Sequence, residues 1–167
     1  MIYNLAAVFD NTVHQNLIAF AKDFQGKNDC EFEYTNDSIP HATLVKYEAE
    51  SDPFTSLLQK EFEVTLSGLT LLPSRSGEDT GLWVEVSVLI PHQLRLLING
   101  LTEALNPEAI QSEVGDMLRP HLTVCKLKSW KNVKVGELSP TLLRKSDVKI
   151  KLQVGESGTG FSYDRIT

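Results

Sequence analysis

Histidine is the side chain whose unperturbed pKa, near ~6.5, lets it both take and give a proton at neutral pH. The chain has four, and two of them stand in a repeated string, Pro40-His41-Ala42-Thr43-Leu44-Val45-Lys46 and Pro120-His121-Leu122-Thr123-Val124-Cys125-Lys126. The strings lie 80 residues apart and share Pro, His, Thr and Lys at matching places. Residues i and i+2 of an extended strand point the same way, so His41 with Thr43, and His121 with Thr123, each project an imidazole and a hydroxyl from one face. If the two strands lie side by side, two imidazoles and two hydroxyls converge on a common point. Phosphate chemistry suits that set. One imidazole can take a proton from water while the other gives one to a leaving oxygen, each role contributing roughly 10² to 10⁴ in rate. The hydroxyls can donate to non-bridging phosphate oxygens without adding charge.

The elements around these strings alternate between strand and helix signals. Residues 2–9 read as a strand, and Val13, Leu17, Phe20, Ala21 and Phe24 then recur at helical spacing up to Gly26, which can end the helix. Residues 32–35 and 42–47 read as strands, the second entered through Pro40, and a short helix is expected from Asp52-Pro53 through Phe54, Leu57 and Leu58. Phe62, Val64 and Leu66 alternate, as do Leu82, Val84, Val86 and Val88, predicting a long hairpin around the polar residues 73–81. Leu94, Leu97, Ile98, Leu101 and Leu105 predict a helix with Pro91 in its first turn. Residues 118–127 and 148–154 read as strands, residues 140–144 as a helical turn, and residues 161–166 as a last strand. The pattern is α+β, a mainly antiparallel sheet with helices outside.

Two H-x-T-hydrophobic motifs about 80 residues apart resemble the 2H phosphoesterase superfamily, in its LigT-like 2',5' RNA ligase and cyclic phosphodiesterase branch. The strand–helix start, the Leu82-Trp83-Val84 strand before a Leu-rich helix, and Tyr163 near the end are also similar to that branch. The resemblance implies one domain over residues 1–167, made of two intertwined lobes with one H-x-T motif in each. It implies a bilobal, pseudo-two-fold α+β fold with two antiparallel sheets facing each other across a groove. It further implies metal-independent hydrolysis of a 2',3'-cyclic phosphate, on an RNA end or a nucleotide, to a 2'-phosphate. By that resemblance His121 activates the water, His41 protonates the departing oxygen, and Thr43 and Thr123 hold the phosphate; near-symmetry makes the two proton roles interchangeable. Cleavage or joining of 2',5' linkages on the same site, and nucleotide binding without turnover, are the competing functions.

Composition narrows the partners. A chain of 167 residues, 41% hydrophobic and 23% charged, has a core to pack, and a net charge of -6 argues against coating long nucleic acid. Residues 1–80 hold 5 Lys and Arg against 13 Asp and Glu, whereas residues 81–167 hold 11 against 9. With two cysteines, Cys30 and Cys125, outside any CxxC spacing, neither a disulfide framework nor a zinc ribbon is expected. No apolar run nears the ~18–20 residues of a membrane span, and residues 2–9 lack the flanks of a secretion signal. The expectation is a soluble cytoplasmic monomer with no cofactor, no metal and no membrane partner.

Other residues carry plainer readings. His14 and His92 stand on helices, where surface or capping roles are expected. Lys126, Lys128, Lys131 and Lys134 form a positive field behind the second motif, without acting as ligands. Gly155, Gly158 and Gly160 suit a hairpin turn better than a phosphate cradle, since a strand follows. Arg75 is expected on an exposed loop. Trp83 shares a strand face with Glu85 and Ser87 and is expected to pack, while Cys125 shares by alternation the face of His121 and Thr123, with no neighbour marking it as a nucleophile.

Overall fold

A computed structural model describes residues 1–31, 39–51, 53–54, 60–73, 81–129, 133–134, 145–157 and 163–165. Its strands are β1 (Ile2–Phe9), β2 (His41–Glu48), β3 (Glu61–Pro73), β4 (Leu82–Leu89), β5 (His121–Leu127), β6 (Ser146–Ser157) and β7 (Tyr163–Arg165). The helices are α1 (Asn11–Lys27) and α2 (His92–Ala104), with two short 3-10 turns before β5. The strands form one antiparallel sheet in the order β1-β2-β5-β4-β3-β6-β7, and β1 also pairs with β6, so the order closes on itself. The two halves expected from the repeat are thus joined edge to edge, at β2–β5 on one side and through β3–β6 on the other.

Several boundaries differ from the sequence expectation for identifiable reasons. The helix α1 runs through Gly26 to Lys27, because Gly weakens a helix without forbidding it; its start is capped by the Asp10 carboxylate, which accepts from the Val13 N–H. Pro91 is the N-cap of α2, one place earlier than expected, with no side-chain cap bond. β5 begins at His121, three residues later than expected, since Pro120 has no N–H to offer a ladder. β3 continues past Gly68, whose φ of 101° serves a register shift between Leu66 and Leu69. The expected elements over residues 32–35 and 140–144, most of the short helix after Asp52, Arg75 and Lys131 lie outside the described residues.

One face of the sheet and the helices enclose the main core. Leu5, Leu17, Phe24, Leu44, Leu94, Ile98, Leu122 and Ile150 are all nearly or fully buried there. The burial of α2 is carried by Leu94 and Ile98, one face of its 3.6-residue repeat. The other face of β1 carries Ala6 and Val8, a separate small cluster packed with Ile39. Among the described residues no helix is long and apolar enough to cross a membrane.

Candidate active site

The two motif strands are copies at the level of burial. β2 reads half-buried, buried, half-buried, buried, buried, half-buried, buried from His41, and β5 repeats this from His121. Each follows a proline that starts the strand at the histidine. Each is also bulged at the same place: the β1–β2 register shifts between Leu5 and Ala6, leaving Leu44 unmatched, and the β4–β5 register shifts between Val84 and Glu85, leaving Val124 unmatched. A bulge resets the alternation. His41, Thr43 and Lys46 therefore stay off the core face, as do His121, Thr123 and Lys126, while Val45 and Cys125 turn into the core. The sequence placed Cys125 beside the motif histidine; the bulge puts it in the core, where burial raises its thiol pKa well above the usual range and the neighbouring Cys30 adds to that.

The strands meet through a single ladder pair, Ala42 with Leu122. An antiparallel pair centred there sets His41 across from Thr123 and Thr43 across from His121, on the face opposite the two buried apolar side chains. The four motif residues thus form a square about a local two-fold axis. Beyond it the strands part, because each is taken up by the chain leaving the other half's helix. Glu31 N–H donates to the Lys126 carbonyl at 2.7 Å, and Gln111 N–H donates to the Lys46 carbonyl at 2.7 Å. The bridges Cys30 to Leu127 and Tyr47 to Ile110 repeat the same exchange.

Both imidazoles are held alike. His41 Nδ1 is 2.9 Å from the Ile39 carbonyl, and His121 Nδ1 is 2.9 Å from the Arg119 carbonyl. A carbonyl only accepts, so each Nδ1 carries a proton and each Nε2 is the ring nitrogen turned away from the carbonyl. Burial lowers the His41 pKa; the Ile39 carbonyl opposes this, and the charge of His121 lowers it further. Thr43 Oγ1 accepts a 3.0 Å hydrogen bond from Asn4 Nδ2, which turns the hydroxyl's own hydrogen outward as a donor.

The symmetry stops at the walls. In register, Val8 lies against His41 and Ala6 against Thr43, while Ser87 lies against His121 and Glu85 against Thr123. The wall beside His41 is apolar, built from Ala6, Val8 and Ile39. The wall beside His121 is charged: the buried Glu85 carboxylate sits 3.3 Å from His121 Nε2 and accepts from Arg119 Nη1 at 2.7 Å. Ser87 adds a hydroxyl in contact with Thr70 at 2.8 Å. Sequence reasoning gave no role to Asn4, Glu85 or Arg119. Asn4 had one visible signal, being the polar residue inside the apolar strand β1; Glu85 had its place on the polar face of β4.

The remaining candidates are elsewhere or otherwise engaged. His14 and His92 lie on α1 and α2. Lys126 pairs with Glu31 at 2.9 Å and lies 5.5 Å from the Trp83 ring centre, and Lys128 pairs with Asp29 at 2.7 Å, so the expected positive field is locally offset. Gly155 lies within β6, which pairs antiparallel with β7; Gly158 and Gly160 lie outside the described residues. Among the described residues no group of three or more His, Cys, Asp and Glu side chains is placed to hold a metal ion.

The sequence matches no family model and no curated protein. Solved structures are similar. A protein described as a phosphoesterase aligns over 99% of this chain and 94% of its own, with a TM-score of 0.55 and 16% identity. E. coli LigT, in complex with NADP+, aligns over 99% and 94% with a TM-score of 0.52 and 15% identity. So complete an overlap at such low identity is a likeness of backbone path, and the chain shares the α+β fold of that phosphoesterase and of LigT.

Proposed function

We propose that the chain is a phosphodiesterase that opens a 2',3'-cyclic phosphate, on a nucleotide or an RNA end, to a 2'-phosphate by two-histidine acid–base catalysis. The observation that carries this reading is the single Ala42–Leu122 pair, which brings both motifs to one face, with each Nδ1 atom tied back to the carbonyl two residues before it. Thr43 and Thr123 are the donors to the non-bridging oxygens, where charge grows as the pentacoordinate state forms. LigT is held in complex with NADP+, a dinucleotide bearing a 2'-phosphate, which supports a 2'-phosphorylated ribose as the product.

The unlike walls support proton roles in the opposite sense to the family resemblance. His41, kept neutral by burial and by its partner's charge, is the base that takes a proton from water. His121, whose Nε2 is beside the Glu85 carboxylate, is the acid that protonates the 3' oxygen as it leaves. Atoms balance: water oxygen adds to phosphorus, the P–O3' bond breaks, and one proton passes to each side. Both proton transfers are supplied by the chain's own imidazoles, so no step requires a metal.

Incubation with a 2',3'-cyclic nucleotide in the presence of a strong chelator, followed by phosphorus NMR, tests the reading. The expected product is the nucleoside 2'-phosphate. A 3'-phosphate would reverse the leaving group, and turnover lost on chelation and restored by a divalent ion would remove the metal-free mechanism. Nucleotide binding with no turnover of cyclic or 2',5'-linked substrates would identify a binding module.

A further inference from the structure

Next to Pro120 and Ser87, the neighbours of His121 in chain and in register, lies a cavity of about 280 Å³, at the lower edge of the ~300–1,000 Å³ typical of small-molecule sites. Its polar lining is Ser67, Ser87, Arg95 and Arg119, and none of the described lining residues is acidic. Two arginines in one small cavity are conspicuous in a chain whose net charge is -6. Their charges are not equivalent. Arg119 is offset by Glu85 at 2.7 Å, whereas Arg95 Nη1 donates to the Gly115 carbonyl at 3.0 Å, a neutral partner. Among the described residues Arg95 has no acidic partner, and the rest of its planar fork of donors faces the cavity's lining. The cavity also adjoins the start of α2, where Pro91 provides no side-chain cap and the first turn has no acidic residue, so the partial positive charge of the helix end adds to that of Arg95.

The cavity and the candidate active site share walls. Ser87 is the register partner of His121, and Arg119 supplies the carbonyl that orients its ring. Neighbouring strands are about 5 Å apart, so groups bound at the histidines and in the cavity belong to adjacent parts of one small ligand. On the opposite side Val8 and Ile39 stand where Ser87 and Arg119 stand here.

We propose that this cavity is a subsite for a second phosphate of the substrate, the one carried on the 5' carbon of the ribose whose 2',3'-cyclic phosphate is opened, with Arg95 as its principal ligand. The inference rests on the phosphodiesterase reading and narrows its substrate class. The 5' phosphate has two sources, a free 5'-monoester on a mononucleotide or the diester that links the last residue of an RNA chain.

Three substrates separate these: a 2',3'-cyclic nucleotide with a 5' hydroxyl, the same with a 5' phosphate, and a dinucleotide ending in a cyclic phosphate. KM is expected to fall about tenfold or more when the 5' phosphate is present, the loss of one charge-assisted contact being worth roughly that factor. Preference for the monoester identifies a mononucleotide substrate, and preference for the dinucleotide an RNA end. In Arg95→Gln the KM advantage of both phosphorylated substrates is expected to shrink to threefold or less. An equal KM for all three substrates in the parent protein, or an undiminished advantage in a folded Arg95→Gln, overturns the subsite. If no cyclic substrate turns over, the phosphodiesterase reading fails separately, and calorimetry of adenosine 5'-monophosphate against adenosine on both proteins decides the subsite. Discrimination that Arg95→Gln abolishes supports it; none, or discrimination that the variant retains, overturns it.

Discussion

The buried Glu85 carboxylate is the side chain that sets the surroundings of the two histidines apart, since it lies 3.3 Å from His121 Nε2 while Ala6, Val8 and Ile39 stand on the His41 side. His41→Ala and His121→Ala each delete one proton transfer, so turnover of a 2',3'-cyclic nucleotide is expected to fall by about two decades or more for either, with unchanged far-UV circular dichroism. Glu85→Gln keeps the shape and an oxygen acceptor but loses the charge facing His121 Nε2 and Arg119. A charge-assisted bond is roughly twice as strong as a neutral one, so kcat is expected to drop about tenfold or more, with a smaller change in KM. Unaltered kcat in that variant would reduce the carboxylate to a partner of Arg119. Asn4 acts through Thr43, and its contact explains why a lone amide is buried in an apolar strand.

Among the elements, the joint between β2 and β5 bears the most on the site, because it is so short. One ladder pair positions the four motif side chains, and the parts of both strands beyond it are held by the chain segments after the opposite helix. Leu122 is fully buried under that joint. Leu122→Ala is expected to cost about 2–5 kcal/mol of stability, from lost transfer energy and the cavity left behind, and to lower activity beyond the unfolded fraction as the motif strands lose their register. Urea unfolding, with activity measured well below the transition, checks both parts; activity that tracks only the folded fraction would show that the joint holds without Leu122. The paired bulges at Leu44 and Val124 are the other device at this scale, since without them Lys46 and Lys126 would face the core and Val45 and Cys125 the groove.

For the whole molecule, the consequence of near-symmetry with unlike walls is a pH profile. Catalysis needs one neutral and one protonated imidazole, so kcat/KM is expected to follow a bell whose limbs belong to the pair. Burial and the charge of His121 depress His41, so the acid limb is expected below the ordinary histidine value of about 6.5, as the base is lost only when pH falls through its lowered pKa. The same shift affects folding. Below about 6.5 the unfolded chain takes up a proton more readily than folded His41 does, so this residue's share of stability is present at neutral pH and declines with acidification through that window. Rate and urea-midpoint profiles between pH 4 and 9, repeated with His41→Asn, test both statements; an acid limb above 6.5 would contradict the assignment of His41 as base.

What the amino-acid string determines by itself is mostly periodic. Alternation and helical spacing are local, so β1, β4, α1, α2 and the motif strands are legible, and the repeat of Pro, His, Thr and Lys at 80-residue separation shows the internal symmetry and its chemical residues. Position relative to other strands is not local. That His41 meets Thr123 across one rung, that Glu31 and Gln111 cap the strands of opposite halves, and that Glu85 and Arg119 reach His121 all depend on partners 34 to 95 residues away, whose register no period encodes. Strict alternation even misplaced Cys125, because a bulge is a property of two strands and cannot be read from one. The motif side chains were therefore written in sequence, while the unlike surroundings of His41 and His121 came only from packing two similar halves against walls of different polarity.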